Sequence, residues 1–257
     1  MKLKYLPVFL FLILTATSLS GQFPRFSALA VYSGDVEPAH VEFARSAITF
    51  FQDLTIGDGF VLDITDNMDD LLRKDLSQYS VILMLNDFPH SEEQREAFRN
   101  YMENGGGWFG FHVAAYNDSD TKWPWFLDFI GGGVFWQNNW PPMPAMVVVS
   151  PMHEVTRALP NTFMAPANEW YQWKPSPREN PDVEVLVSLA QNNYPLGLKD
   201  IILDGDCPVV WTNTKYRMIY MNMGHGKHIF SDATQNQLII SGFRWVVASD
   251  RNGNVFE

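Results

Sequence analysis

The sequence predicts an α/β fold with a mainly parallel central sheet and helices on both faces. Three observations predict it. Short apolar runs alternate with helical patterns across residues 27–112, the rhythm of strand–helix–strand units. Several of those runs are apolar throughout rather than alternating, as strands buried on both faces are. The segment Gly105-Gly106-Gly107-Trp108-Phe109-Gly110-Phe111-His112 reads as a helix stop, a turn, a buried strand and a histidine released at the strand's end. In open α/β sheets ligands sit beyond the carboxyl ends of strands, so that histidine is a candidate for chemistry.

The elements follow in order. Ala28 to Tyr32 is an apolar strand ending in Ser33-Gly34-Asp35. Ala39 to Leu54 carries Val41, Ala44, Ile48 and Phe51 at helical spacing. Phe60 to Ile64 is a second strand, Asp66 to Leu72 a short acidic helix, and Val81 to Leu85 a third strand. Ser91-Glu92-Glu93-Gln94 is a helix start, with serine as cap, Gln94 at the third helical position and acids in the first turn. That helix runs to about Asn104, and the fourth strand then carries His112. Asn117 to Asp120 is a polar loop, and Trp123 to Phe129 a short aromatic helix stopped by Gly131-Gly132-Gly133. Trp136 to Pro144, rich in proline, is expected to be irregular. Later strands are Ala145 to Val149, Val183 to Leu189, Val209 to Thr212 and Met218 to Met223, the last followed by Gly224-His225-Gly226. Asn236 to Ala248 closes the chain as an amphipathic helix, and no repeat or linker divides it.

Lys2 and Lys4 precede the apolar run Leu6 to Leu14, and small residues follow to Gly21. That is the layout of a signal peptide over residues 1–21, leaving 22–257 as one domain. The apolar run falls short of the roughly 20 residues of a membrane span. With no cysteine near the cleavage point, a periplasmic or secreted protein is expected rather than a lipoprotein, free of the membrane after cleavage. The chain of 257 residues has a net charge of −11. Such a balance disfavours the phosphate backbone of nucleic acids. The single cysteine, Cys207, excludes an internal disulfide and reads as a loop or strand-edge thiol.

Six histidines are present. His112 and His225 follow glycine-containing strand ends, and His153 sits in Ser150-Pro151-Met152-His153-Glu154. Glu169 heads Glu169-Trp170-Tyr171, a carboxylate among aromatic side chains, a setting suited to acid/base work. Histidines and a carboxylate at one sheet edge fit either an acid/base site or a divalent metal with an open position; no fixed metal-ligand spacing decides between them. His40 and His90 open helices and read as surface or cap residues, and His228 as part of a following strand. Trp136 and Trp140, with Asn138 and Asn139 between them, mix stacking faces and amides as a sugar platform would; a hydrophobic cluster under loops is the plainer alternative. Gly131-Gly132-Gly133 lacks the lysine and serine of a phosphate loop, and no Gly-x-Gly-x-x-Gly follows the first strand, so no nucleotide cofactor is expected. No Gly-x-Ser-x-Gly elbow supports a serine hydrolase.

Several ordered motifs resemble the ThuA-like family, named for trehalose utilisation. Trp108-Phe109-Gly110-Phe111-His112 resembles its glycine-rich strand ending in Gly-Leu-His. Pro151 to Pro160 is similar to its His-Pro-Ile-Thr-x-Gly-Leu-Pro stretch, without the proline after the histidine. Asn168-Glu169-Trp170-Tyr171 resembles Asp-Glu-Trp/Leu-Tyr, and Pro208-Val209-Val210-Trp211-Thr212 with Met223-Gly224-His225-Gly226 resembles Pro-Val-x-Trp-Thr followed by Leu-Gly-His. Gly242-Phe243-Arg244-Trp245-Val246 matches the closing Gly-Ile-x-Trp-Ala.

The resemblance implies a flavodoxin-like three-layer sandwich of the class I glutamine amidotransferase type. Amidotransferases carry a nucleophilic cysteine in the tight turn where His112 stands here, so no glutaminase activity is expected. Family members open on a histidine-rich segment after the first strand, whereas residues 33–40 offer only His40. The family's link to carbohydrate metabolism, often through keto-sugars, gives the expectation of a small-molecule carbohydrate partner. His112, His225, Glu169 and His153 would be the acid/base groups. Trp136, Trp140, Trp170, Tyr171 and Trp211 would bind the sugar, with a divalent metal as a variant. The alternative is a non-catalytic carbohydrate-binding or accessory protein, and a homo-oligomer is compatible with either.

Overall fold

The computed structural model describes residues 25–117, 122–191, 193 and 206–248. The expected signal segment 1–21, and most of the polar loop expected at 117–120, lie outside the described residues. Among those described, no helix is long and apolar enough to cross a membrane.

Strand β1 (Ser27–Val31) leads into helix α1 (Pro38–Asp58), which stops at Gly59 in the left-handed conformation (φ 66°). Strand β2 (Val61–Thr65), a short helix α2 (Asp70–Arg73) and strand β3 (Val81–Met84) follow. Helix α3 (Glu92–Glu103) begins with a capping box, as its sequence predicts. Ser91 Oγ accepts from Gln94 N (3.2 Å), and Gln94 Oε1 accepts from Ser91 N (3.1 Å). Strand β4 (Gly107–Phe111) runs directly into a short 3-10 turn, His112–Ala115. Helix α4 (Pro124–Ile130) stops at Gly131 (φ 108°).

Three expectations need correction. Trp136 and Gln137 are not irregular; they belong to strand β5 (Val134–Gln137), paired antiparallel with β8 (Gln172–Lys174) in a two-stranded ribbon. Met143 and Pro144 likewise open β6 (Met143–Val149), so only the residues around Pro141 and Pro142 are irregular. His228 lies in a 3-10 turn, Lys227–Ser231, rather than a strand. An unforeseen strand, β7 (Thr162–Asn168), tolerates Pro166 because it is an edge strand.

Strands β9 (Val183–Leu189), β10 (Pro208–Asn213) and β11 (Tyr216–Met221) complete a nine-stranded sheet, ordered β2-β1-β3-β4-β11-β10-β9-β6-β7, and helix α5 (Ala233–Ala248) ends the described chain. From β2 to β11 every neighbour is parallel; from β11 to β7 every neighbour is antiparallel. The parallel half has the 2-1-3-4-5 order of a flavodoxin-like sheet, with β11 in the fifth place. Its carboxyl ends therefore share one edge.

Two cores flank the sheet, and residues alternate between them. Along β4, Trp108 packs with Phe98, Phe126 and Phe129 on the α3–α4 face, whereas Phe109 and Phe111 pack with Phe43, Phe51 and Phe243 on the α1–α5 face. This is the expected three-layer sandwich. Gly110 is fixed by packing: a Cβ there would lie 1.8 Å from a ring carbon of Trp108. Gly110→Ala should therefore overpack the centre of the sheet and cost about 1–3 kcal/mol. Chemical denaturation reads that loss directly; an unchanged midpoint would mean the indole has another place to go.

Candidate active site

Four elements deliver side chains to the carboxyl edge of the parallel strands. The first is the turn after β4. His112 sits there with φ 47°, a left-handed conformation that costs a non-glycine residue about 1–2 kcal/mol. Several contacts hold it. Tyr220 donates its hydroxyl to His112 O (3.1 Å), and the Tyr171 ring lies against the imidazole at 4.0 Å between centroids. Gly224 leaves room for it, since a Cβ at that position would be 2.4 Å from His112 Cβ. The imidazole Nδ1 is 2.7 Å from Asn222 O. A carbonyl oxygen only accepts, so Nδ1 carries the proton and Nε2 is a bare lone pair. The longer approach of Asn222 Nδ2 to the same Nδ1 (3.3 Å) is then a contact and not a hydrogen bond.

The second element is the first turn of α1. It brings in His40, which is buried. Asn86, just after β3, donates to Ser33 O (2.9 Å) and His40 O (3.3 Å) and accepts from Ser33 N (2.8 Å). It thereby pins the β1–α1 loop across the sheet edge. The third is the turn after β11, which carries His225. Asn168 Oδ1 accepts from Gly224 N (3.1 Å) and His225 N (3.2 Å), and Gly226 N donates to Ala39 O (3.0 Å). The fourth is the end of β7. That strand is the far edge in sheet order, yet Asn168 donates to Asn222 O and Oδ1 (3.1 Å each). The antiparallel half thus curls back far enough to set Glu169 among the histidines.

The geometry converges on one oxygen. Nε2 of His112, His225 and His40 lie 3.5, 3.9 and 4.0 Å from Glu169 Oε2. The His40 ring centroid is 5.1 Å from both the His112 and the His225 centroids. All three Nε2 atoms are buried and have no hydrogen-bond partner among the described residues. Glu37, the exposed residue preceding α1, closes the cluster on its solvent side, 3.6 Å from His225 Nε2. Glu37–His40–His225 and His40–His112–Glu169 are each spaced closely enough to hold a metal ion.

Burial, reinforced by the neighbouring imidazoles of His112 and His225, lowers the His40 pKa to about 4. Burial, followed by the charge of His225, lowers that of His112 to about 3, against the opposing pull of the Asn222 hydrogen bond. Both are neutral near pH 7, so their approaches to Glu169 are not ion pairs. The cluster offers lone pairs. Burial also pushes the Tyr171 phenol up, keeping it protonated.

The structure brings together His112, His225, Glu169 and Tyr171 of the expected residues, and adds His40 and Glu37. His40 is no surface or cap residue. His153 is elsewhere: it packs on Trp245 (5.1 Å) and its Nδ1 accepts from Val155 N. Trp170 and Trp211 are core residues, fully buried, with indole N–H groups donated to Met143 O and Ile130 O. Trp136 and Trp140 are 51% and 71% exposed, and the Lys174 ammonium sits 3.7 Å over the Trp136 ring. Asn139, expected to meet a ligand, is instead structural: it donates to Asn168 O (3.1 Å) and accepts from Trp170 N (2.7 Å). That bond ties the Trp140 loop to the residue that holds the His225 turn. Cys207 is buried just before β10, and burial pushes its thiol up to about 12, so it is no nucleophile.

Comparison with known proteins bears on this site. The ThuA family profile, described as trehalose utilisation, matches residues 28–246. A crystal structure of a ThuA-like protein from Bacteroides uniformis is 58% identical, with a TM-score of 0.86, covering 91% of this chain and 96% of that one. A ThuA-like protein from Parabacteroides merdae shares the fold at 18% identity, with a TM-score of 0.65 and coverage of 91% and 92%. The fold extends to a GMP synthase-type protein from Thermoplasma acidophilum, 11% identical, with a TM-score of 0.54 and coverage of 86% and 94%. No curated protein matches the chain.

Proposed function

The chain belongs to the ThuA (trehalose utilisation) family, and from that premise we propose that it acts on a carbohydrate or keto-sugar derivative at the His40–His112–His225–Glu169 cluster. The observation that carries the reading is the convergence of three buried imidazole nitrogens on one buried carboxylate oxygen. In a keto-sugar, the carbon beside the carbonyl carries a proton acidic enough for such a group to take. The proton passes to a carboxylate oxygen of Glu169, and the C–H electron pair moves through the new C=C bond onto the carbonyl oxygen. The exposed ring of Trp140, on the loop that Asn139 ties to Asn168, offers a stacking face suited to a sugar. The reaction takes place outside the cytoplasm, in keeping with the signal-peptide layout of residues 1–21. Glutaminase activity has no support, because a neutral imidazole stands in the tight turn and the only thiol is buried and protonated.

The test is proton NMR of a panel of sugars and their keto-derivatives with the protein in deuterated water. Loss of the signal beside the carbonyl, or a new product, is expected with the native protein and not with Glu169→Gln. A panel left untouched by both would overturn the catalytic reading. The exposed Trp136 and Trp140 favour a second reading, a carbohydrate-binding accessory protein. Tight sugar binding without any turnover, unaffected by Glu169→Gln, would establish it.

A further inference from the structure

We infer that His40, His112 and His225, through Nε2, and Glu169, through Oε2, form a binding site for one divalent transition-metal ion. The inference rests on the cluster being the working site, and it supplies what that reading lacks. An enolate or alkoxide oxygen needs a positive charge nearby. The cluster residues include no lysine or arginine to supply one.

The geometry fits a metal closely. Ligand atoms about 2.1 Å from a tetrahedral ion lie about 3.4 Å from one another. The three N···O separations here are 3.5, 3.9 and 4.0 Å. His40, His112 and Glu169 form one triad of ligand atoms within 4.8 Å of one another, and His225 forms a second with His40 and Glu37, so the two share His40 and an inward shift of His225 joins them around one ion. One of the lone pairs is fixed by its tautomer. His112 donates its Nδ1 proton to Asn222 O, the backbone partner that fixes a ligating imidazole in the correct tautomer. A buried polar atom without a partner is costly, and three such atoms lie within 4.0 Å of one carboxylate oxygen, an arrangement that a bound cation would satisfy. Three imidazoles and one carboxylate suit zinc, iron, cobalt or manganese rather than calcium or magnesium, which take oxygen shells. Glu37, at the solvent mouth, stands where a fifth ligand or a metal-bound water would be met. An ion held there would supply Lewis-acid stabilisation to the sugar's carbonyl oxygen, with Glu169 placed beside it to take the substrate's proton.

The test uses the full protein without a histidine tag, stripped with chelator and titrated with cobalt(II) alone. One equivalent of cobalt should give an intense visible absorption of a four- or five-coordinate ion and a rise in melting temperature. His40→Ala and Glu169→Gln should weaken binding at least about 100-fold; His90→Ala should not change it. Absence of the band and of any thermal shift, or binding unaffected by both cluster variants, overturns the inference. The sugar reading stands or falls separately. Turnover by fully stripped protein would keep that reading and remove the metal, and metal binding without any response to sugars would do the reverse.

Discussion

Replacing His112 with asparagine is expected to lower turnover by about 10³-fold or more while the protein stays folded. Asparagine is the informative choice because the backbone there is left-handed, and asparagine tolerates that conformation better than alanine. The substitution removes the Nε2 lone pair 3.5 Å from Glu169 and the ring face that meets Tyr171. It keeps a short polar side chain beside Asn222. The loss should therefore fall on kcat and on metal affinity, with a stability cost of about 1–2 kcal/mol. Steady-state kinetics and denaturation on the same preparation separate the two. Full activity in a folded His112→Asn variant would remove this residue from the site.

The largest effect on both stability and function is expected from Asn168→Ala. This fully buried amide accepts from two successive backbone N–H groups, Gly224 and His225, and donates to Asn222. Asn222 in turn accepts from His112 and, through Oδ1, from Tyr171 N. One side chain thus sets the positions of two histidines that never touch it through their rings. Alanine leaves two buried N–H donors unpaired, at about 1–3 kcal/mol each. The denaturation midpoint should fall by the corresponding amount, and metal affinity should drop although no ligand has been removed. Asn168→Asp keeps the acceptor but turns a second oxygen toward Asn222 O, so rescue should be partial. An Asn168→Ala protein of native stability would show that the turn is held by other means.

The parallel half of the fold was legible because local signals agree there. The capping box at Ser91, the glycine stops after α1, α3 and α4, and the apolar strands β1, β3 and β4 each mark their own boundaries. The antiparallel half was less so. Strand β7 contains Pro166 and two alanines, and its strand character comes from pairing with β6 rather than from propensity. In the site, His112 and His225 were visible as histidines at strand ends. His40 was missed because it opens a helix, where a histidine reads as a surface or cap residue. Reading Val41, Ala44, Ile48 and Phe51 as the buried stripe puts His40 at its margin. The buried set is instead His40, Val41, Phe43, Ala44, Ala47 and Phe51, with His40 on the stripe. Pro38 at the start of a helix that follows β1 was the available signal, because the first turn of such a helix faces the ligand edge. Asn168 was visible only as the first residue of a motif and Asn222 not at all, since each matters through bonds to residues more than fifty positions away. Trp170 and Trp211 show the converse: motif aromatics whose burial only the folded sheet reveals.

The central claim is that a carbohydrate reacts at the His40–His112–His225–Glu169 cluster. Nitrogen-15 NMR of the histidine side chains, recorded while the metal-loaded protein is titrated with a keto-sugar, tests it most directly. The account predicts that the imidazole signals of His40, His112 and His225 shift together and saturably, while those of His90 and His153 stay in place. Saturable sugar binding with the three cluster signals unmoved would contradict it.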